Sequence, residues 1–238
     1  MGNVTYVSLS RQIALERELS LVANNVANAA TTGYRREGSI FSEYIQGLRG
    51  DNNSVSQTRL AGATIDQTSG AYIQTGESLD VAISGPGFFV VETPRGERLT
   101  RKGDFQLNEN NEIVSSAGDR LMGGGGAIVV PPGASRLTIA TDGVVSADDA
   151  VISQIRIVDA DATTLKRESG AMFEAVNGVE DSTDAKLRQG FVESSNVNPV
   201  LEISRLIEVQ RAFEMQRQLA NDEADRIRSA IESLSAAR

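Results

Sequence analysis

Acidic side chains are the most abundant source of possible chemistry in this chain, with 32 Asp and Glu among 238 residues. Adjacent pairs such as Asp148-Asp149 and Glu180-Asp181 invite acid–base chemistry of the glycosidase kind, which needs two carboxylates facing one another across a cleft. In so acidic a chain, however, such runs ordinarily form a solvated surface. Ser84-Gly-Pro-Gly87 lacks the Gly-x-Ser-x-Gly order of a nucleophile elbow, and the absence of histidine leaves Ser84 without the usual activating base. Gly123 to Gly126 resembles a phosphate loop only in its glycines. No Lys-Ser/Thr follows them, and Ala127-Ile-Val-Val130 reads as a strand, so a turn is expected there. Asn108-Glu-Asn-Asn-Glu112 has Ile113 where a calcium loop requires glycine, and reads as a hairpin turn. With no cysteine either, zinc-thiolate, iron–sulfur and disulfide chemistry are excluded. These residues assign no catalytic, cofactor-binding or metal-binding role, no cofactor is expected, and the chain reads as a non-enzyme.

The formal charge of −9 opposes a nucleic-acid partner, which would need clustered Lys and Arg to displace counterions from phosphates. No apolar run approaches the roughly 18 residues of a membrane span. The opening Met1-Gly-Asn-Val-Thr-Tyr-Val has no basic-then-apolar leader, so no cleaved signal is expected. Tyr6 stands where myristoylation after Gly2 would need Ser or Thr.

The spacing of apolar residues divides the chain into zones. Val4, Leu15, Leu19, Val22 and Val26 mark a helix within residues 3–30, with Leu9 and Ile13 on a second face and Gly33 as the expected stop. Near the other end, Ile203, Leu206, Gln210, Phe213, Arg217, Ala220, Ala224, Ile227, Ile231 and Leu234 follow a 3-4-3-4 heptad rhythm. Asn198-Pro199 supplies a cap and a first-turn proline for a helix of roughly 55 Å. Between the helices the period shortens to that of strands at 81–83, 88–91, 104–107, 113–114, 128–130, 137–139 and 155–157. The expected fold is therefore α+β: long N- and C-terminal helices packing as a coiled-coil-like pair, with a β-rich middle. The expected regions are an N-terminal helical assembly region (1–35), an extended connector (36–75), the β-rich middle domain (76–190) and a C-terminal helical assembly region (191–238).

Magnitudes bear on what the C-terminal helix is for. Its six large apolar seam residues would contribute about 10 to 15 kcal/mol if fully buried. Ordering a helix of that length costs roughly 1 to 2 kcal/mol per residue, only partly offset by its hydrogen bonds. One stripe against one partner falls short, so a lattice of neighbouring copies is expected. Gln210 and Arg217 would then fix register or meet a second partner, and Ala220 and Ala224 would allow close approach.

Ala23-Asn-Asn-Val-Ala-Asn28 with Thr32-Gly-Tyr-Arg-Arg36 resembles the N-terminal signature of the flagellar rod, hook and hook-associated proteins. Ser78-Leu-Asp-Val-Ala-Ile-Ser-Gly-Pro-Gly-Phe-Phe89, Thr100-Arg-Lys-Gly-Asp-Phe105, Ser194-Ser-Asn-Val-Asn-Pro-Val200 and Ile207-Glu-Val-Gln-Arg-Ala-Phe-Glu214 are similar to further blocks of that family. Pro131-Pro-Gly-Ala-Ser-Arg-Leu-Thr-Ile-Ala-Thr-Asp-Gly143 and Phe213-Glu-Met-Gln216 are most similar to the proximal-rod branch, with the distal-rod branch next. The resemblance implies a structural subunit of the bacterial basal-body rod, exported by the flagellar apparatus without a cleaved signal. It also implies assembly in the periplasm with copies of itself and other rod proteins, and transmission of torque. The expected assembly residues are the two helical stripes, Leu15, Leu19, Val22 and Val26 with the seam from Ile203 to Leu234, together with Asn24, Asn25 and Asn28. The Asn side-chain amides would fix a buried or inter-subunit register, the alternative for Asn28 being a helix-end turn. A hook-like or tail-tube subunit and a carboxylate-dependent enzyme on a β scaffold are the competing readings.

Overall fold

The computed structural model describes residues 2–47, 54–182 and 184–236, of which 2–7, 41–47, 54–61, 230, 231 and 234–236 are described by their backbone alone. In chain order the elements begin with α1 (Gly2–Ala27), β1 (Glu37–Gly47), β2 (Ser54–Ile65), β3 (Tyr72–Gln74), β4 (Val81–Ser84) and β5 (Phe88–Thr93). They continue with β6 (Gly96–Thr100), β7 (Phe105–Leu107), β8 (Ile113–Ser115), β9 (Arg120–Gly123), β10 (Gly126–Ala127), β11 (Leu137–Ile139) and β12 (Val144–Ala147). The remainder are β13 (Ala150–Gln154), β14 (Ile157–Asp159), β15 (Leu165–Ser169), β16 (Met172–Ala175), β17 (Glu180–Asp181), β18 (Lys186–Gln189), β19 (Phe191–Glu193) and α2 (Pro199–Ala236). Two terminal helices and a strand-rich middle make this an α+β chain.

The chain divides into two compact units, one of Met1–Ala27, Glu37–Thr64 and Asn198–Arg238, the other of Asn28–Arg36 and Ile65–Val197. In the first, α1 and α2 run antiparallel. Asn25 bonds to Glu202, Glu18 to Arg205 and Ser8 to Gln216, so α1 positions descend as α2 positions rise. The stretch read from sequence as an extended connector holds β1 and β2, which pair as a two-stranded sheet. The part of that stretch from Leu48 to Asn53 lies outside the described residues.

The second unit is built on antiparallel pairing around β5. Strand β5 pairs with β6, β9 and β14, inside a sheet that runs β15-β16-β6-β5-β9-β8-β7. Its residues alternate between two cores, because successive strand side chains point to opposite faces. Phe89 and Val91 join Val81, Ile83, Phe105, Leu121, Val145 and Leu187 in one cluster. Phe88 and Val90 join Leu99, Val158, Leu165 and Phe173 in the other. Edge-to-face rings close each side, Phe89 on Phe105 at 5.2 Å and Phe88 on Phe173 at 5.7 Å. The continuous apolar run Phe88-Phe-Val-Val91 is what a strand covered on both faces requires.

The turns follow their local chemistry. Gly123 pairs with Gly126 across a two-residue β9–β10 turn, and Ser84-Gly-Pro-Gly87 joins β4 to β5. In the β7–β8 hairpin, Asn108 Oδ1 accepts from the backbone N–H groups of Asn110 and Glu112, and Asn111 takes a left-handed φ of 60°. The expected strand at 128–130 is instead an isolated bridge, Val129 with Glu112.

Candidate assembly surface and the clasp of the strand-rich unit

Helix α2 starts as its sequence dictates. Asn198 Oδ1 accepts from the N–H groups of Val200 and Leu201, and Pro199 occupies the first helical position, where a missing N–H costs nothing. The residues turned toward α1 are then Glu202, Leu206, Val209, Phe213, Gln216, Ala220 and Glu223, each buried or half-buried. Their spacing is heptad-like, but the line is rotated from the one counted in sequence. Leu206, Phe213 and Ala220 are common to both. Ile203, Gln210, Arg217 and Ala224 are exposed, and their places facing α1 are taken by Glu202, Val209, Gln216 and Glu223.

The same offset occurs on α1, where Ala14, Glu18, Val22 and Asn25 are buried while Leu15, Leu19 and Val26 lie half-buried on the flank. The cause is polar. Arg205 Nη2 donates to the buried Glu18 at 2.5 Å, holding the Arg205 guanidinium above its ordinary pKa. Asn25, wholly buried, accepts from the Glu37 N–H at 3.0 Å and donates to Glu37 O at 2.8 Å and Glu202 Oε2 at 3.2 Å. A buried polar group must find partners, and satisfying these turns the helices so that Asn25 and Glu18 face inward and Ile203 outward. Asn24 and Asn28 are half-buried. Asn28 accepts from Thr31 through both its backbone and side-chain oxygens, a turn that closes the end of α1.

That rotation leaves apolar surface on α2. Val200, Leu201, Ile203, Ile207, Met215 and Leu219 are exposed, Leu219 at 60% and Met215 at 70%. Val200 and Ile207 lie on the side of the helix away from α1, while Met215 and Leu219 flank a groove that they line together with Arg11 of α1. On α1, Leu9 and Ile13 are exposed opposite its buried line. The register also leaves an overhang. Carried on at equal rise, Gly2 falls roughly beside residues 221–225 of α2, so α2 runs on past the described part of α1. Ile227 lies in that overhang, 37% exposed, and so does the backbone of Ile231 and Leu234, whose side chains are outside the described residues.

In the strand-rich unit the quoted sequence blocks meet at one buried ion cluster. Glu193, from β19, is 1% exposed and lies between Arg35 at 2.6 Å and Arg101 at 3.3 Å, themselves 1% and 3% exposed. Its Oε1 also accepts from the Gly70 N–H at 2.8 Å. Arg101 Nη2 donates to Gly85 O at 2.7 Å, and Arg35 Nη1 donates to Thr68 O. Burial, then the neighbouring Arg35 charge, push Arg101 down to about 10, against the pull of Glu193. Around this cluster, Asn196 Oδ1 accepts from the Arg36 N–H while its amide donates to Asp66 O and Thr68 O. Arg167 lies over the rings of Tyr34 and Phe173 at 4.3 and 4.8 Å.

Two glycines are required by this closeness. A Cβ on Gly33, at φ +65°, would stand 2.3 Å from the Arg101 backbone, and one on Gly103 would stand 1.8 Å from Val81 O. Gly33 therefore serves packing and not the helix stop expected of it, since α1 ends six residues earlier at Ala27. Sequence reasoning missed Arg35, Arg101 and Glu193. The available signal was that three of the quoted blocks each carry or adjoin a charge with no evident surface role.

Among the described residues, no group of three or more His, Cys, Asp or Glu is placed to hold a metal. No described helix is long and apolar enough to cross a membrane.

Comparison with known proteins adds three family models. Residues 6–35 match the flagella basal body rod protein model, 82–147 the D1 domain model of the flagellar hook protein FlgE/F/G, and 188–232 the C-terminal model of the flagellar basal body rod FlgEFG protein. The flagellar basal-body rod protein FlgF of Caulobacter vibrioides is 37% identical over 98% of both chains. That of Mesorhizobium japonicum is likewise 37% identical over 98% of both, and that of Salmonella typhimurium is 30% identical over 91% of this chain and 92% of its own. With relatives at this identity along nearly its whole length, the chain belongs to the flagellar basal-body rod protein family, is FlgF-like within it, and is a structural subunit and not an enzyme.

Proposed function

We propose that this chain is a subunit of the proximal rod, joined to copies of itself and to other rod proteins through its terminal helices, and that the rod passes torque as a rigid shaft. On this reading the α1–α2 pair is coiled-coil-like, and the subunit reaches the periplasmic rod through the flagellar export apparatus without a cleaved signal. Its relatives, each a flagellar basal-body rod protein, support a basal-body location, and rigid helical packing is the mechanism a shaft requires.

The observation that carries this reading is the apolar surface that α1 leaves uncovered on α2, with Val200 and Ile207 on the outward side and Leu201, Ile203, Met215 and Leu219 exposed on the flanks. A helix that served only its own fold would be polar there. The interface divides into two sets. Leu15, Leu19, Val22, Asn24, Asn25, Val26, Asn28, Leu206, Phe213 and Ala220 set the intrachain pair and its flanks. Ile203, Gln210, Arg217, Ala224 and the overhang residues Ile227, Ile231 and Leu234 meet neighbouring copies.

The test uses the absence of cysteine, which makes any introduced thiol unique. Basal bodies are isolated from strains carrying Ile203→Cys or Leu219→Cys and treated with a short bifunctional thiol reagent. Adducts between subunits are expected from both, and none from a cysteine at Asp161, an exposed loop position of the other unit. Absence of adducts at both helix positions in chains that do assemble would sink the proposed interface.

A further inference from the structure

Beside the buried ion cluster the strand-rich unit has a cavity of about 220 Å³, lined by Arg35, Arg101, Ser69, Phe88 and the Gly85-Pro86-Gly87 turn. Neither glycine of that turn places a side chain in it, and both have φ of 110°, a conformation that L residues rarely adopt. Two cations share one carboxylate here. The oxygens of Glu193 are already occupied by Arg35, Arg101 and the Gly70 N–H. One positive charge is therefore uncompensated by this carboxylate, inside a site whose three ionised residues are each at most 3% exposed.

The donors left over have a specific shape. Arg35 spends Nη1 on Glu193 and Thr68, while its Nε and Nη2 are buried with no hydrogen-bond partner, and Arg101 Nε is in the same condition. Nε and Nη2 form one edge of a guanidinium, the two parallel N–H groups that grip carboxylate, phosphate or sulfate. A buried donor without an acceptor is costly, and a buried charge without a counter-charge costs more. Water would supply acceptors but no charge. Both arginines line the cavity, which is several times the roughly 30 Å³ share of one water. Arg35 Nε and Nη2 are themselves shut off from it in this structure, so an oxyanion held there reaches them through a small turn of the Arg35 guanidinium.

We propose that this cavity is an anion site, holding a small oxyanion of the phosphate or sulfate class on the free edge of Arg35 with Arg101 beside it. The site belongs wholly to the strand-rich unit and is independent of how the helices assemble. Its occupant supplies the missing negative charge, so it acts as a structural clip on the junction of residues 28–36 with the strands.

The test is done on the purified full chain with inorganic phosphate. Isothermal titration at constant ionic strength is expected to give one saturable site per chain. The melting temperature of the strand-rich unit is expected to rise with phosphate and to rise less with sodium chloride of equal ionic strength. Arg35→Gln risks unfolding the cluster, so the diagnostic variant is Ser69→Asp, which places a carboxylate at the exposed wall of the cavity. It is expected to fold, to melt no lower than the parent in phosphate-free buffer, and to bind phosphate about tenfold more weakly, a change of about 1.4 kcal/mol. The proposal is overturned by absence of a saturable site, by equal responses to phosphate and chloride, or by a Ser69→Asp chain that binds phosphate as the parent does.

Discussion

Glu193 shows how one side chain can hold distant parts of a sequence together. It closes a cluster with Arg35 and Arg101 in which each residue is at most 3% exposed. Replacing such a group leaves its partners charged and unpaired, which is worse than never having buried the cluster. Glu193→Gln keeps the volume and an acceptor for Gly70, yet is expected to destabilise the strand-rich unit by about 3 to 5 kcal/mol in urea unfolding. A loss under about 1 kcal/mol would mean that the charge itself is dispensable. Glu168 makes a different case at the surface. Hydrogen bonds from Arg98 and then Arg95 hold its carboxyl below the ordinary 4.5. A carboxyl lowered in the folded state contributes stability that is complete above its unfolded pKa and lost as pH falls through the folded one. Stability measured from pH 5 downward should thus fall less steeply in Glu168→Gln than in the parent, and an unchanged slope would show that the pair is not formed in solution. The types of these residues were plain in the sequence, but their pairing was not, because Arg35, Arg101 and Glu193 are far apart along the chain and nothing local marks a charged residue for burial.

The elements were legible wherever local chemistry decides them. Asn198-Pro199 starts α2, and the helix begins at Pro199 with both cap hydrogen bonds formed. Asn198→Ala is therefore expected to cost about 1 kcal/mol in the stability of the helix pair, read by circular dichroism on thermal unfolding, with Asn198→Asp nearly neutral. If both variants melt with the parent, the cap contributes nothing. Gly123 to Gly126 and Asn108 to Glu112 likewise became turns because their backbone demands are local. The rotation of the helix pair was not legible. Heptad counting weighs apolar residues, and on that count Ile203 outranks Glu202. The fold instead turns Glu202 inward, since Asn25 on the facing helix bonds to both Glu202 and the backbone of Glu37. A count made along one helix has no access to the partner helix that makes this arrangement favourable.

For the whole molecule, the two sides of α2 should separate folding from assembly. Val209 is 3% exposed and packs within the first unit, whereas Leu219 is 60% exposed. Val209→Asp buries an unpaired charge and is expected to unfold the helix pair of the monomer, at several kcal/mol. Leu219→Asp should change monomer stability by less than about 0.5 kcal/mol, as surface changes usually do, while reducing incorporation into basal bodies and swimming. Phe213→Asp, at a half-buried position, should do some of each. If Leu219→Asp incorporates normally, or if Val209→Asp melts with the parent, the division of α2 into an inner and an outer side is wrong. The sequence by itself determined the class of the chain, helices at both ends with strands between. It also determined the absence of histidine and cysteine chemistry and the family, because composition, periodicity and short blocks are properties of residues near one another in the chain. Only the tertiary structure decided which side of each helix faces its mate, that the region after α1 holds a paired pair of strands, and that three separated charges share one buried site. Those outcomes depend on which polar groups find partners once water is excluded, and a partner is chosen in space, not in sequence.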